Sequence, residues 1–495
     1  MSQTTLESAA FIVSPTQVAL DTAMLAYDLW GTRAHVLMLA ASGCIPARAA
    51  AAICTALATV EAAVAAGTFA IDPGRGAQLS LEAAVLAAAG ATDGSRMHTA
   101  RSRNDQVMVT EMLYLREQGL QLAEETAAVV AALLALAATH VATVMPGYTH
   151  MQPAKPTSLG QWALAYADAL LRSGDDLEAT WARYDACPLG AVESYGTSWP
   201  IDRALTAQLL GFARVWEVPQ DAIASRGRPQ LAYLDLCKGI ALTISKIAAD
   251  LLLFTTWEYG YMRLGDAIAQ RLHPITGSSV MAQKRNPDAL ELLRATGQEV
   301  IGLAGTAAHL LAGLPMGYNR DTREIKEWSA LGFAKTLAGL TTLQTTLATL
   351  EVDAPRMARA VAANYSSTTD LADAIAQQSG VGYRQVYAVV GRLVDALITD
   401  GVPLGSLRAA TIVQAAADAG LALTLSEAAV AAALDPARAL AERRHLGGAA
   451  PAEMARLLQA RQATLAAHRQ WIAARHAGIA AARQDTAARV QALPR

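Results

Sequence analysis

The sequence predicts an all-α fold, on three observations. The chain of 495 residues is 53% hydrophobic but only 5% aromatic, and alanine and leucine dominate it. That composition favours closely packed helices over sheets. Alternating apolar and polar strand patterns are nearly absent, whereas helical apolar spacing recurs over long segments. Because 495 residues exceed one compact core, we expect two to three domains.

The first part of the chain, residues 1–110, predicts a mixed and mostly helical domain. Gly43 and Pro46 separate its first two apolar segments, and the Asp72-Pro73-Gly74 turn precedes a third. The predicted helices span residues 20–42, 47–66 and 79–89.

The middle of the chain, residues 111–364, predicts a domain of five long helices. Their length favours a bundle with a shared core, and their apolar faces look too extensive for one chain to cover. Asp321 is the expected N-cap of the last helix, with Glu324 completing a capping box. The five helices are expected at about residues 107–144, 158–184, 229–259, 287–314 and 322–351.

The remaining residues, 365–495, predict a small helical domain with a tail. The helices shorten after residue 366, and glycines punctuate them. From about residue 474 the sequence predicts a charged, alanine-rich amphipathic helix, either on the surface or partly frayed.

Charge and composition argue against several kinds of partner, site and targeting segment. The net charge of −3 gives no reason to expect nucleic acid or an anionic membrane as partner. The four cysteines stand singly, and the nine histidines show no metal-ligand spacing, so we expect reduced thiols and no metal. Residues 1–17 lack the features of a secretory signal. The uncharged run 127–154 approaches a membrane span in length, but we interpret it as the centre of a bundle in a cytoplasmic protein.

The stretch 277–288 has the highest density of side chains suited to ligand binding or catalysis. Gly277 and two serines suit a mobile backbone that closes over a ligand. Lys284 and Asn286 are donors suited to a carboxylate. The alternative is a plain polar loop, with Pro287 opening the next helix.

Two further polar clusters lie elsewhere. Residues 98–106 include Arg101, Arg103 and Asn104, donors suited to carboxylates, although a solvated basic loop is the alternative. Residues 147–153 include His150, which can act as acid or base near neutral pH. A purely structural histidine is the alternative there.

Together the three clusters resemble, in order and spacing, the signature regions of the fumarase/aspartase superfamily, and most closely its argininosuccinate lyase branch. The matching motifs are S-R-N-D-Q at 102–106, G-Y-T-H-x-Q at 147–152 and G-S-S-x-M-x-Q-K-x-N-P-D at 277–288. The segment 318–321 with Lys326 is similar to the substrate-contacting segment of that branch. The resemblance covers all but about the last twenty residues.

The resemblance implies three mostly helical domains, with the central one forming a five-helix unit. Four chains would join these units in the twenty-helix core of a homotetramer. Each site would take one cluster from each of three subunits. No cofactor and no metal are implied.

The resemblance also implies a reaction, in which a proton is removed beside a carboxylate and a group is expelled to leave fumarate. Ser278 matches the catalytic base, with Lys284 as a nearby cation. His150 matches the family histidine with Glu291 as its partner, acting on the departing nitrogen directly or through water. The implied substrate-binding positions are Ser102, Arg103, Asn104, Thr149, Gln152, Asn286, Tyr318, Arg323 and Lys326.

Three departures lie near the amine-binding half. Met24 stands where the branch has a substrate-contacting serine, Arg323 replaces a glutamine, and residues 76–78 stand where the branch usually has acidic and histidine residues. Ala282 in place of the usual proline makes the loop less rigid. An extra cation beside Lys326 would oppose a guanidinium and attract another carboxylate. We therefore expect cleavage of argininosuccinate, with another N-substituted aspartate, aminoalkyl or polycarboxylate, as the alternative. A non-catalytic structural relative is a third possibility, against which the retained polar residues argue.

Overall fold

The structure, a computed structural model, describes residues 11–270 and 275–494, and it is built almost entirely of helices. The two helices that open the chain are α1 (Pro15–Ala41) and α2 (Ala47–Ala65). The further helices, in chain order, are α3 (Ala77–Ala89), α4 (Ala91–Gly94), α5 (Arg103–Thr139), α6 (Leu159–Tyr184), α7 (Arg203–Leu209), α8 (Pro219–Ala224), α9 (Arg228–Phe254), α10 (Asp288–Leu311), α11 (Glu324–Thr349), α12 (Ala354–Ala363), α13 (Thr368–Ser379), α14 (Tyr383–Thr399), α15 (Ala409–Asp418), α16 (Glu427–Leu434), α17 (Pro436–Ala441) and α18 (Pro451–Gln491).

Short strands occur in pairs at the ends of the long helices. An antiparallel hairpin joins α5 to α6, and the other two pairs are two residues long. The strands are β1 (Val144–Thr149), β2 (Gln152–Ser158), β3 (Ala186–Cys187), β4 (Arg214–Val215), β5 (Met262–Arg263) and β6 (Glu351–Val352).

The helices α5, α6, α9, α10 and α11 form the expected five-helix bundle. Hydrogen bonds fix their directions: Gln230 at the start of α9 bonds Glu111 near the start of α5. Asp250 at the end of α9 accepts from Trp162 at the start of α6. Thus α5, α9 and α11 run one way, while α6 and α10 run the other. We call the end where α5 begins the upper end, and the opposite end the lower end.

The bundle is long enough to separate its ends widely. Helix α9 has 27 residues, which at 1.5 Å per residue is about 40 Å. The loop 98–102 before α5 lies at the upper end. The β1–β2 hairpin and the described residues that follow α9, 255–270 and 275–287, lie at the lower end.

The final helix, α18, packs lengthwise along the outside of the bundle. Arg461 of α18 forms a bidentate pair with Asp168 of α6, at 2.8 and 2.9 Å, and Arg483 pairs with Glu117 of α5 at 2.7 Å. Its apolar face joins the bundle core through Leu465, Ile472 and Ile479. The tail is therefore a continuous packed helix as far as Gln491.

Most long helices are where the sequence predicts them, with differences of up to five residues at their ends. Helix α1 begins at Pro15 rather than at residue 20, and α5 and α9 end at Thr139 and Phe254 rather than at residues 144 and 259. Helix α5 begins at Arg103, four residues early, because Ser102 caps it. The capping box expected at Asp321 is wrong, because residues 320–323 form a 3-10 turn and Arg323 precedes α11 without a side-chain cap. Two described helices, α2 and α5, are long and apolar enough to cross a membrane by length and composition, and α5 is half buried in the bundle.

Candidate functional site

Two backbone N–H groups donate to the side chain of Ser278 at the lower end of the bundle. Its Oγ accepts hydrogen bonds from the N–H groups of Val280, at 3.2 Å, and Met281, at 2.9 Å. Two N–H dipoles aimed at one hydroxyl oxygen favour negative charge on that oxygen. The arrangement is therefore suited to a serine that acts as its alkoxide.

The loop that carries Ser278 is tied at its neck. Gly277 pairs with Arg285 in an isolated bridge, and Asn286 N–H donates to the Thr276 carbonyl at 2.9 Å. The Arg285 guanidinium anchors this neck to the Leu264 carbonyl at 2.8 Å. Between the ties, residues 279–284 are exposed, Lys284 among them. The loop is thus hinged at a fixed base with an exposed tip.

Lys284 lies beside a large cavity at the lower end. The cavity has a volume of about 800 Å³, and residues 283–285 form one of its walls. Its other walls come from segments 255–257, 260–264 and 351–356. The cavity gives the exposed loop room to move towards the bundle.

His150 occupies the tip of the β1–β2 hairpin in an unusual backbone conformation. His150 and Met151 both have positive φ, 53° and 61°, between the paired residues Thr149 and Gln152. A two-residue turn of this kind normally uses glycine or asparagine, because a side chain there is strained. Thr149, His150, Met151 and Gln152 are all exposed. The hairpin thus holds the histidine out from the surface of the chain.

The hairpin is braced against its neighbours. The Tyr148 hydroxyl hydrogen bonds that of Tyr261 at 2.8 Å, which links the hairpin to the start of the Ser278 connection. Glu291 lies exposed in the first turn of α10. No hydrogen bond among the described residues joins it to His150. The expected histidine–glutamate pair is therefore not formed within one chain.

The second polar cluster begins α5 at the upper end. Ser102 is the N-cap and accepts from Asn104 N–H, while Asp105 bonds back to Ser102 N–H in a capping box. Asn104 Nδ2 donates to the Glu193 carbonyl at 3.2 Å. Arg103 remains exposed on the first turn. The helix start thus presents Arg103 and a fixed Asn104 side by side.

Asp105 supports this helix start from below. Its Oδ2 accepts from the N–H groups of Gly190 and Val192, each at 2.9 Å. Burial raises the pKa of this carboxyl to about 6. Val192 is held at φ 57°, a conformation that β-branched residues rarely adopt. Asp105 therefore ties a strained loop to the polar cluster.

A polar pocket opens beside Arg103, and we call it the upper pocket. Its volume is about 170 Å³. Its lining brings together segments that are far apart in the sequence: Val13, Asp21, 75–78, Arg103, Asn104, Val107, Glu111, Arg226, Tyr318, Arg320, Arg323 and Lys326.

The Asp21 carboxylate contacts two of the cationic side chains in this pocket. It is ion-paired with Lys326 and lies 3.6 Å from Arg323. Gln17 Oε1 also accepts from Arg323, at 3.1 Å. Met24, singled out from the sequence, is only 3% exposed and does not line the pocket. The residue of α1 that lines the pocket is Asp21, three positions earlier.

The structure brings some predicted site residues together and leaves others apart. Arg103, Asn104, Tyr318, Arg323 and Lys326 meet at the upper pocket. The residues at the lower end are Ser278, Lys284, Asn286, Glu291, Thr149, His150 and Gln152. About one bundle length, ~40 Å, separates the two groups within one chain.

The sequence reasoning missed four charged residues of the upper pocket: Asp21, Arg75, Glu111 and Arg226. No local pattern marks Glu111 and Arg226, because each lies within an ordinary helix or turn. Asp21 and Arg75 carried a weak signal, since both stand near positions that were already noted as unusual. Among the described residues, no group of three or more histidine, cysteine or acidic side chains is arranged to hold a metal.

The sequence matches two families. Residues 12–302 match a family described as Lyase, and residues 365–441 match one described as Argininosuccinate lyase C-terminal.

Two curated relatives and one solved structure are similar over most of the chain. An argininosuccinate lyase of Methanothrix thermoacetophila is 36% identical over 88% of this chain and 86% of its own length. One from Halobacterium salinarum is 39% identical over 86% of this chain and 84% of its own length. The crystal structure of an EDDS lyase in complex with formate superposes with a TM-score of 0.85 and 28% identity, covering 98% of this chain and 95% of that one.

Proposed function

This chain belongs to the argininosuccinate lyase branch of the fumarase/aspartase superfamily, and we propose that it is a carbon–nitrogen lyase that cleaves argininosuccinate to fumarate and arginine. The identity of 36–39% to argininosuccinate lyases over most of the chain supports this substrate. The activity would place the enzyme in amino-acid metabolism, in arginine biosynthesis.

One observation carries the proposal, namely the two N–H groups that donate to Ser278 Oγ. A serine hydroxyl is too weakly basic to remove a proton beside a carboxylate unless its alkoxide is stabilised. The N–H groups of Val280 and Met281 supply that stabilisation, and Lys284 adds a positive charge on the same loop. Ser278 is therefore the proposed base.

The elimination then balances as follows. The Ser278 alkoxide takes the proton from the carbon beside one carboxylate, and negative charge builds on that carboxylate, where Lys284 and Asn286 donate. The carbon electron pair forms the double bond of fumarate as the carbon–nitrogen bond breaks. The departing nitrogen takes up a proton through His150, polarised by Glu291. Water exclusion by the closed loop would protect the carbanion.

The remaining predicted residues have binding roles. Ser102, Arg103, Asn104, Thr149 and Gln152 bind the succinyl carboxylates in this proposal. Tyr318, Arg323 and Lys326 line the upper pocket and face the amine half.

These groups can only meet across subunits, because the two ends of one bundle are about 40 Å apart. We propose a homotetramer with a twenty-helix core, in which antiparallel neighbours bring upper and lower ends together and three chains complete each site. Exposed leucines on three bundle helices support self-association: Leu242 is 44% exposed, Leu292 68% and Leu331 45%. Burial of these apolar faces between subunits supports a soluble protein. We propose a cytoplasmic enzyme with no cofactor and no nucleic-acid or membrane partner.

A second candidate substrate is another N-substituted aspartate, aminoalkyl or polycarboxylate. The likeness to the EDDS lyase structure over nearly the whole chain favours it, as does the excess of cations in the upper pocket. A non-catalytic structural role is the third candidate. The presence together of Ser278, His150, Lys284 and Asn286 argues against that role, because a structural protein needs none of them.

Fumarate absorbance with purified protein tests the proposal. Wild-type protein should release fumarate from argininosuccinate, and Ser278→Ala should lose at least about 10³-fold in kcat, as expected for removal of the base. Ser279→Ala is the matched control, because the neighbouring serine is exposed and receives neither N–H bond. No turnover of any N-substituted aspartate by wild-type protein would contradict the proposal. Equal turnover by Ser278→Ala would contradict the role of the base.

A further inference from the structure

We propose that the end of the C-terminal tail, residues 479–493, is a positioning element for the upper pocket. It holds helix α1, which supplies part of one wall of the pocket, in place against the bundle helices that supply the other wall. We call residues 479–493 the tail end. This inference rests on the proposed function, in which the upper pocket binds the amine half of the substrate.

The upper pocket lies between two parts of the chain that have separate hydrophobic cores. Val13, Asp21 and residues 75–78 line it from the N-terminal part, and the remaining lining comes from the bundle helices and their connections. The bundle has its own core, whereas α2, α3 and one face of α1 form a second core. The shape of the pocket therefore depends on how these two parts are held together.

The tail end packs against both cores. Val490 and Leu493 are partly buried, and each contacts the bundle core as well as the core of the N-terminal helices. Ala482 is buried in the bundle core. Gly211, which follows α7, approaches Ala482 so closely that a Cβ atom on the glycine would lie 2.9 Å from the Ala482 Cβ. The tail end is thus packed against both parts of the chain at once.

Polar contacts attach the tail end to Trp30 of α1. The Trp30 side chain is only 4% exposed, and its Nε1 donates to Thr486 Oγ1 at 3.3 Å. Thr486 Oγ1 in turn donates to the Leu209 carbonyl at the end of α7, at 2.8 Å. The Arg483 guanidinium lies over the Trp30 ring, 4.2 Å from its centroid, in a cation–π contact. Removing the Thr486 hydroxyl would leave a buried indole N–H without a partner.

Glu117 of α5 connects both helices to the bundle. Its Oε1 accepts from Arg483 Nη2 at 2.7 Å, and its Oε2 accepts from the Tyr27 hydroxyl of α1 at 3.0 Å. A partly exposed ion pair contributes little by itself. Here the Arg483 guanidinium also covers Trp30, so one side chain fixes α1, α5 and α18 relative to one another.

Helix α1 connects this attachment to the pocket. The helix is continuous from Pro15 to Ala41, so Asp21 lies six residues, about 9 Å, from Tyr27. Asp21 is ion-paired with Lys326 on the opposite wall. A tilt of α1 at Tyr27 and Trp30 would therefore displace Asp21 and change the spacing of charges around the amine half. Misplacing a group by about 1 Å can cost on the order of 100-fold in rate.

The test uses the reverse reaction, addition of arginine to fumarate, and measures KM for each reactant. Because the upper pocket binds arginine in this proposal, the ratio of KM for arginine to KM for fumarate reports on the pocket. We expect this ratio to rise by about 10-fold in Arg483→Met and in Thr486→Val. Arg483→Lys should restore it, because lysine keeps a positive charge over Trp30. Loss of folded protein lowers the measured rate but leaves both KM values unchanged, so a merely structural role would not change the ratio.

Arg461→Met is the matched control, because Arg461 lies on the same helix but pairs with Asp168 of α6, within the bundle. An unchanged ratio in Arg483→Met and Thr486→Val overturns the inference and leaves the lyase proposal standing. Either variant decides the matter if the other fails to fold.

A second measurement keeps the two proposals distinguishable. If wild-type protein neither adds arginine to fumarate nor cleaves argininosuccinate, the proposed function fails, and amide hydrogen exchange of residues 15–26 decides the inference. Faster exchange of these residues in Arg483→Met than in Arg461→Met would support positioning of α1 by the tail end. Equal exchange in the two variants would overturn it.

Discussion

Lys155 Nζ lies 2.7 Å from Asp373 Oδ2, and this contact joins the strand leaving the His150 turn to the C-terminal helices. The same ammonium is 3.3 Å from Asp370, which in turn pairs with Arg443 at 3.0 Å. Arg443 also donates to the Pro156 carbonyl of β2 at 2.5 Å. The C-terminal helices therefore hold the base of a hairpin whose tip is strained and exposed.

The first prediction follows from this clamp. Lys155→Met should lower kcat/KM for fumarate release by about 10-fold, because a small misplacement of a catalytic group has large kinetic effects. Melting temperature should change little, since the ion pair is partly exposed. Lys155→Arg should restore most of the activity.

Arg33→Gln is the control for the clamp, because it removes another interhelical ion pair, with Glu61 at 2.6 Å, far from the hairpin. If Lys155→Met and Arg33→Gln reduce activity equally, or if neither variant reduces it, the C-terminal helices do not position His150.

Strain at Val192 leads to the second prediction. A side chain in the left-handed region costs about 1–2 kcal/mol, and glycine removes that cost while adding up to about 1 kcal/mol of backbone entropy. Val192→Gly should therefore leave the free energy of unfolding unchanged or raise it by up to about 1 kcal/mol, measured by urea denaturation. Val218→Gly is the comparison, because Val218 has an ordinary φ of −80°, and there glycine should only destabilise.

The third prediction concerns acid stability. Burial and the neighbouring Arg101 lower the pKa of His35 well below 6.5, and its Nε2–Thr99 carbonyl distance is 2.9 Å. The unfolded chain then binds more protons below pH 6.5, so stability is fully present above that pH and is lost as the pH falls. Melting temperature should drop between pH 7 and 5.5, and His35→Gln should make that drop shallower.

Asp105 acts in the opposite direction, because burial raises the pKa of its carboxyl from 3.8 to about 6. Its contribution to stability decreases as the pH rises from about 4 to about 6. Comparing wild type with His35→Gln at each pH cancels this term. Parallel curves for the two proteins would show that His35 does not titrate in this range.

The sequence located the motifs of the proposed site but not the whole lining of the upper pocket. Ser278 and His150 stand within short contiguous motifs, and the resemblance of those motifs to the family signatures implied their roles. Asp21 and Arg226 are more than 200 positions apart and meet only because α1 packs against the upper end of the bundle. No local pattern encodes that packing.

The strained backbone of the turn at His150 could not be predicted from the sequence either. A Thr-His-Met-Gln sequence carries none of the glycine or asparagine that normally marks a two-residue hairpin turn. Only tertiary bracing, through Tyr148 at one strand and Lys155 at the other, fixes this conformation. Local propensity and the final structure disagree at a proposed catalytic residue, which is where such conflicts are expected.

The fourth prediction tests the assembly on which the shared site depends. Leu292 is 68% exposed on α10, one residue after Glu291, so a self-association face on this helix would cover both. Leu292→Glu should place a charge in that interface and shift the protein from the proposed tetramer towards smaller species, measured by sedimentation velocity. Activity should fall in parallel with dissociation, because the proposed site takes residues from both ends of the bundle. Leu446→Glu is the control, since Leu446 is 82% exposed but lies outside the bundle helices. A dissociated Leu292→Glu protein with full activity would mean that one chain completes its own site.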